Sequence, residues 1–494
     1  MIRPIEPFSL TLNEAASLLG ASLLGDNSVS FFGISHTDSE IEKGDLFLAI
    51  PGTKVHGAKF ADNAIRKGAV AILTDSAGAD MFPEFPTLIV TDVRAAGAIL
   101  SSALYKYPTR DMQSISITGT NGKTTVTTLL YQIFAAVGRE TGLIGTVETR
   151  IGSEVLASTR TTPEAPELQA LAATMRERHV RNLVMEVSSH AISLKRIKGS
   201  HFSIAAFTNL SQDHLDFHKD MESYFQAKAQ LFTSEYADQA FIFIDSPYGA
   251  RLAESTSIAV TTLSRTNPKA TWHFTEIHNT SSGVEFSLRG EGGILIETRT
   301  SLFGGFNLDN LLLAIAIAHK CDIDPIEIAA VIPNLKGAPG RFDSVSLGQS
   351  FKALVDYAHS PDAVSNVLNA AREFTSGKII AVLGCGGDRD VSKRPLMGAA
   401  LASGADIAIF TSDNPRSENP EKILHDMTAG LSISEPSRVI EDREAAIRHA
   451  TSIAAAGDTV LVLGKGHESG QEVAGVITPF DDRLQLAQAI EATA

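Results

Sequence analysis

The chain has 494 residues, 44% of them hydrophobic and 20% charged, with a formal net charge of −15. That length predicts about three domains, and this balance lets each bury a core and excludes a disordered chain. The acidic excess argues against nucleic acid or an anionic membrane as the main partner, although local Lys and Arg can still hold small anions.

Two distant cysteines, Cys321 and Cys385, make neither a disulfide framework nor a zinc site, so a reducing cytoplasm is expected. The start, MIRPIEPFSL, lacks the charged-then-apolar pattern of a secretory signal. No apolar run reaches about 18 residues, so no membrane span is expected.

Residues 1–108 read as a small α/β domain. Strand-like pieces recur at 46–50, 69–73 and 87–90, and a helix through Ala61, Ala64 and Ile65 precedes the second. The segment YKYPTR, 105–110, reads as a linker.

The second unit, 109–336, opens on SISITGTNGKTT, 114–125, the most informative stretch of the chain. An apolar strand runs into Gly119, Thr120, Asn121, Gly122, Lys123, Thr124 and Thr125, and an apolar helix follows. Glycine lets the backbone N–H groups approach a phosphate chain with no Cβ in the way, and the helix N-terminus points at the same anion. Lys123 can neutralise β- and γ-phosphates, and the Thr124 hydroxyl can hold Mg²⁺. The spacing departs from the standard phosphate-binding loop, with two residues instead of four between Gly119 and Gly122. An ordinary glycine turn is the plainer alternative. Later strands end in polar clusters, MEVSSHA, TNLSQDHLDFH and FIFIDSP, and strand ends of an open parallel sheet converge on one crevice.

Glu186 ends an apolar run, where a carboxylate is costly to bury unless paired or coordinated. A structural salt bridge and a Mg²⁺ ligand beside Thr124 are its two readings. His214 and His218, spaced i and i+4, could share a helical face, but that spacing alone is weak metal evidence; capping and core polarity explain it as well. By pattern, Lys228 in YFQAKAQLF is a solvent-facing helical lysine. Arg341, after Gly337 and Gly340, stands at the next junction, as a linker residue or as a phosphate contact across a cleft.

The third unit, 337–494, repeats the α/β pattern. The segments 353–362, 379–390, 406–416 and 459–468 read as strands finishing in loops rich in Gly, Asp, Arg and His. Four such loops at equivalent strand ends describe one binding face, where solvated turns would explain one or two. No short repeat or low-complexity tract occurs.

Together these residues resemble the Mur ligases, ATP-dependent amide-forming enzymes of peptidoglycan synthesis. The segments HTDSEIEKGDLFLAIPG, GTNGKTT, GLIGT, TTPE, MEVSSHA, TNLSQDHLDFH, YFQAKAQLF, FGGFNLDN, GAPGRFD, VDYAHSPDA, GCGGDRDVSKRPLMG, DNPRSENP and GKGHE carry the likeness, in order, over nearly the whole chain. The resemblance implies an α/β architecture of three domains: a small UDP-binding domain, a central P-loop ATPase-like domain and a Rossmann-like C-terminal domain. It places Ser39 near the uridine diphosphate. The family usually has arginine where Glu40 stands, so that pyrophosphate contact does not carry over. It assigns Thr161, Thr162, Ser189 and Arg196 to the UDP-muramoyl dipeptide, and Asn307, Asn310, Arg341 and Asp356 to ATP. Thr124 and Glu186 match ligands of one Mg²⁺ and His214 a ligand of a second. Lys228 matches a lysine that the family carbamylates to help hold that second ion, which reverses the pattern-only reading. Arg389, Asp413, Asn414, Pro415, Arg416, Gly464 and Glu468 match the pocket of the incoming amino acid. The arginine of DNPR, with GKGHE, looks like the version that adds meso-diaminopimelate rather than L-lysine. For Arg416 the competing role is a loop ion pair with Glu418.

The implied reaction activates the D-Glu γ-carboxylate of UDP-N-acetylmuramoyl-L-Ala-D-Glu as an acyl phosphate, which the amine of the diamino acid then attacks. Lys123, Glu186, His214 and Lys228 are the expected catalytic residues, with ATP and Mg²⁺ required and a monomer expected. The alternatives are a folylpolyglutamate synthase-like ligase, which lacks the UDP-binding domain, a P-loop switch or motor ATPase, and a non-catalytic binding module.

Overall fold

The computed structural model describes residues 1–158, 160–280 and 283–493. Among the described residues, besides two two-stranded pairs, Leu10–Thr11 with Ser30–Phe31 and Gly470–Val473 with Val476–Pro479, three large sheets carry the chain. The first has five strands in the order Ser22–Leu24, Thr87–Ile89, Ala71–Thr74, Asp45–Leu48 and Gly33–Ser35, parallel except at Ser22–Leu24. The expected strands at 46–50, 69–73 and 87–90 and the helix Ala61–Arg66 are present with shifted ends. The 105–110 segment, expected as a linker, is tied to its surroundings by hydrogen bonds. Tyr105 is buried, its carbonyl accepts from Arg176 Nη2 at 3.0 Å, and the Thr109 carbonyl accepts from Ser114 Oγ at 2.6 Å.

The central sheet has eleven strands, and Gln113–Thr118 lies between the parallel strands Asn182–Glu186 and Phe202–Phe207. The connection after Gln113–Thr118 runs to one side of the sheet and the connection after Phe202–Phe207 to the other, so a crevice opens between their carboxyl ends. Antiparallel strands extend both edges. The strand residues Ile115 and Ile117 pack with Val126, Leu129 and Leu130 of helix Lys123–Ala136 and with Leu311, Leu312 and Ile315 of helix Gly305–Lys320. A helix apolar on nearly every face, as LLLAIAIA is, belongs between layers. Its amino end therefore stands beside the nucleotide loop.

The third sheet runs Asp343–Ser344, Lys352–Asp356, Thr459–Leu463, Ile379–Cys385, Ile407–Ser412 and Arg438–Val439, parallel apart from its first pairing. Ile379–Cys385 is buried throughout, as a central parallel strand covered on both faces should be. The carboxyl ends of its four long strands deliver the expected glycine-rich and charged loops to one face.

Candidate active site

At the nucleotide loop the backbone explains the glycines. Gly119 lies at φ +149° and Gly122 at +90°. A Cβ at Gly119 would sit 1.9 Å from Thr208 Oγ1, and one at Gly122 2.3 Å from Asn310 Oδ1. The loop is stitched to the segment after Phe202–Phe207. Thr120 N donates to Asn209 O at 2.9 Å, Asn121 N donates to Asn209 Oδ1 at 3.0 Å, and Thr208 Oγ1 donates to Asn121 O at 2.6 Å. Lys123 opens the following helix and folds back, donating to Gly119 O at 3.0 Å and Thr120 O at 2.9 Å. Burial lowers its pKa, while Glu186 pulls the other way.

Glu186 is fully buried at a strand end. It accepts from Thr124 Oγ1 at 3.0 Å, Thr146 N at 2.7 Å and Thr146 Oγ1 at 3.1 Å. No cation pairs with it among the described residues, so the structural salt bridge is excluded there. Thr146, from the GLIGT segment, is a neighbour that the residue pattern did not single out.

Lys228 overturns the pattern-only reading. It is 1% exposed, donates to Gly119 O at 2.9 Å, and lies 4.7 Å from the Tyr224 ring centroid. Burial, with Lys123 adding repulsion, drives its pKa well below that of a free lysine. The reason is tertiary: helix Met221–Ala229 packs its Tyr224, Phe225 and Lys228 face inward beneath the loop.

His214 and His218 do not share a helical face. They bracket a turn in which His218 N donates to His214 O at 2.9 Å, and His214 adopts φ +54°. His218 Nε2 lies 2.9 Å from Ser189 Oγ, and the His214 ring stands edge-on to His190 at 4.8 Å. Burial pushes the His214 imidazole down to about 3 against the attraction of Asp213, so its lone pair is free at neutral pH. Around Ser189, Thr162 Oγ1 donates to Glu186 O at 2.9 Å, and Arg196 Nη1 donates to Thr162 O at 3.1 Å. Thr161 Oγ1 lies 3.0 Å from Thr146 Oγ1. Ser39 is exposed on the first domain, with its carbonyl 3.0 Å from Lys67 Nζ.

A cleft of about 460 Å³ runs from Gly122 and Thr125 past Asn310 to Arg341 and Asp356. Arg341 stacks 4.3 Å from the Tyr357 ring centroid, and its buried Nε has no acceptor among the described residues. An unpartnered guanidinium N–H beside glycine-exposed backbone fits an anionic phosphate chain. Asp356 accepts from Phe342 N and Ala358 N, both at 2.7 Å, and burial pushes its carboxyl up to about 6. Asn307 turns back to Phe303 O at 2.8 Å and is not part of the cleft lining.

In the third sheet, Asp413, Asn414, Pro415 and Arg416 follow one strand, and Gly464, Lys465 and Glu468 follow another. Gly464, at φ +114°, leaves room for Asp413 Oδ2, which a Cβ would meet at 2.6 Å. Asn414 Nδ2 donates to Glu468 Oε2 at 2.8 Å. The fully buried Lys465 donates to Asn414 Oδ1 at 3.0 Å and Gly470 O at 2.7 Å. Arg416 does not pair with Glu418, which Arg394 holds at 2.7 Å. Instead Arg416 Nη1 donates to Gly387 O at 2.6 Å, with Glu472 Oε2 3.6 Å from its Nε. Arg389 is exposed on the adjoining loop, with only a 3.5 Å contact to Asp388 O. Lys465 and the buried pair Arg443–Asp482 are further organisers. Arg443 grips Ser412 O and Leu463 O, the last residues of both strands.

Comparison with known proteins places these sites in context. Residues 32–102 match the model of the Mur ligase family, catalytic domain. Residues 117–318 match the Mur ligase middle domain, and 340–466 match the Mur ligase, glutamate ligase domain. A UDP-N-acetylmuramoyl-L-alanyl-D-glutamate–2,6-diaminopimelate ligase of Streptomyces coelicolor is 47% identical, covering 99% of this chain and 98% of its own. One so named in Streptomyces avermitilis is 46% identical with the same coverage. A solved structure of a ligase with that name superposes with TM-score 0.69 at 31% identity, covering 98% of this chain and 99% of its own.

Proposed function

The chain belongs to the Mur ligase family, and from that premise we propose that it joins meso-2,6-diaminopimelate to UDP-N-acetylmuramoyl-L-alanyl-D-glutamate at the expense of ATP. It is an ATP-dependent amide-forming ligase of peptidoglycan synthesis. The observation that supports the reading is a pair of neighbouring strand-end sites. One is a cleft at the nucleotide loop that reaches Arg341 and Asp356; the other is the cluster of Asp413, Asn414, Arg416 and Glu468, tied to the first where Gly464 N donates to Asp356 O at 3.0 Å.

A carboxylate is a poor electrophile, so the substrate's γ-carboxylate first takes the γ-phosphoryl group of ATP. Lys123, already aimed at the loop carbonyls, and Arg341, with its free Nε, offset charge on that group as it transfers. Thr162, Ser189 and Arg196 hold the muramoyl dipeptide so that its carboxylate reaches this point, and Ser39 lies on the UDP side. The amine of the diamino acid then attacks the acyl phosphate, and phosphate leaves. Asp413 and Glu468 orient that amine, and one of these carboxylates accepts its proton. Acyl phosphates hydrolyse when wet, so closure of the third domain over the second is part of the mechanism.

The residues fit Mg²⁺ as well. Among the described residues no three His, Cys, Asp or Glu side chains form a ready metal cage. Thr124 and Glu186, whose oxygens lie 3.0 Å apart and whose carboxylate makes no ion pair among the described residues, would hold one ion together with phosphate oxygens. His214 and Lys228, the latter as a carbamate, would hold another. When bound, Mg²⁺ supplies positive charge to the phosphate chain. A carbamate on Lys228 would replace a buried amine that makes no ion pair among the described residues. The same reading takes the protein as a cytoplasmic monomer. No described helix is long and apolar enough to cross a membrane, and both cysteines are free.

The test is an assay of purified protein with UDP-muramoyl dipeptide, ATP, Mg²⁺ and a panel of diamino acids, read by phosphate release and product mass. Turnover only with both acceptor and meso-diaminopimelate is the expected result. Hydrolysis of ATP without them, or a preference for L-lysine, refutes the assignment.

A further inference from the structure

Asp213 is a hub between two domains. It belongs to the segment after strand Phe202–Phe207, and that segment is fixed to the nucleotide loop. Ser211 N donates to Thr120 Oγ1 at 3.0 Å, and the Thr120 hydroxyl donates to Ser211 O at 3.2 Å. The Asp213 side chain is only 7% exposed. Its Oδ1 accepts from the N–H of His214, whose backbone is left-handed, at 2.8 Å. That same oxygen accepts from Lys393 Nζ, 180 residues along the chain. The other oxygen, Oδ2, faces His359 Nε2 at 3.9 Å and His214 Nε2 at 3.6 Å.

Lys393 and His359 both come from the third domain. His359 follows strand Lys352–Asp356, and Lys393 is the first residue of helix Lys393–Gly404. The loop just before that helix carries Arg389. Two elements of the amino-acid domain thus converge on one buried carboxylate of the nucleotide domain. Desolvation offsets much of the attraction in such a pair, but removing one partner leaves the other's charge buried and uncompensated, whereas separation of the two domains would return both to water.

We propose that Lys393 is a positioning residue: by bonding the Asp213 carboxylate it fastens the loop carrying Arg389 to the segment carrying His214, so that amine delivery and phosphoryl transfer align in one closed arrangement. Among the described residues Lys393 has no hydrogen bond or ion pair to the cleft lining or to the pocket residues, so its effect on rate passes through Asp213. The chemical half of this inference rests on the ligase reading above; the fastening itself does not.

The experiment uses the full chain as Lys393→Met, Lys393→Arg, Asp213→Asn and the double variant Asp213→Asn/Lys393→Met. Asn keeps the acceptor that His214 N requires. Small-angle scattering without ligand tests the fastening alone. Lys393→Met should shift the protein to a larger radius of gyration, and Lys393→Arg should restore the wild-type value. Kinetics test the coupling. Lys393→Met should lower kcat about 100-fold, the scale expected of an ångström-level misplacement, while KM for ATP and for the muramoyl dipeptide moves less than about threefold. Lys393→Arg should recover most of that loss, and the double variant should be no slower than the worse single one. Unchanged scattering in Lys393→Met overturns the fastening. Multiplying losses in the double variant, or equal losses in Lys393→Met and Lys393→Arg, overturn the positioning role. Wild-type protein that closes normally but makes no amide overturns the ligase reading and leaves the fastening standing.

Discussion

Arg416→Ala separates recognition of meso-diaminopimelate from the rest of the reaction. That substrate and L-lysine differ by one carboxylate at the far end of the side chain, and a planar cation suits that group best. Arg416 sits where such a cation is useful. Its Nη1 is anchored on Gly387 O at 2.6 Å, its nearest carboxylate is Glu472 at 3.6 Å, and Glu418 is occupied by Arg394. A Cβ at Gly387 would lie 1.9 Å from Pro415 O, so the two loops touch and fix where the guanidinium can be. Truncation strands a partly buried substrate carboxylate at about 2–5 kcal/mol, or about 30- to 5,000-fold in kcat/KM. Lysine lacks that carboxylate and should lose less than about threefold, so the ratio of the two kcat/KM values collapses. Arg416→Lys keeps the charge but loses the fork and should fall between. The loss of the Gly387 contact is a stability cost that both amino acids share, and a thermal melt measures it separately. Equal losses for both amino acids would refute the reasoning and leave Arg416 as a strut between loops.

Other substitutions address the remaining parts. Lys123→Ala should stay folded but lower kcat by about 10²–10³, because it removes a preorganised charge from the transferring phosphoryl group; near-normal turnover sinks that role. Lys228 should give a carbamate resonance in carbon NMR after equilibration with labelled carbon dioxide, absent in Lys228→Ala, and full activity of that variant would rule out the carbamate's part. Asp309 tests burial by pH. Its carboxyl is pushed up to about 7 by desolvation, against the attraction of Arg265. An unfolded Asp titrates near pH 4, so ionising this one in the folded state costs roughly 4 kcal/mol. Below about pH 4 both states are protonated; as pH rises from about 4 to about 7 the unfolded state loses its proton first, stability falls, and the penalty is then constant. Asp309→Asn should therefore gain stability over wild type at about pH 8 relative to about pH 4.5 in denaturant melts. A pH-independent difference contradicts this.

The sequence carries the nucleotide loop almost completely, because its requirements are local. Gly119 and Gly122 occupy positions where a Cβ would collide, and the strand and helix on either side announce themselves by hydrophobic pattern. The third domain's face is legible for a similar reason, since each loop follows a buried strand whose end is marked by polar residues. Lys228 is different. Its helix has no strong amphipathic pattern, and what buries the lysine is the loop lying above it, 109 residues earlier in the chain. His214 and His218 mislead in the opposite direction: their spacing suits a helix, but the backbone at His214 is left-handed and the two bracket a turn. Arg416 and Glu418 mislead because nearness along a chain resembles pairing, while Arg394 reaches Glu418 through the tertiary fold. These failures share one cause. A charged side chain's role depends on which partner claims it first, and at Glu418, Asp213 and Glu186 that partner lies dozens of residues away. Substitutions at such distant partners, Lys393 above all, are therefore the ones that expose how two separately legible sites act as one.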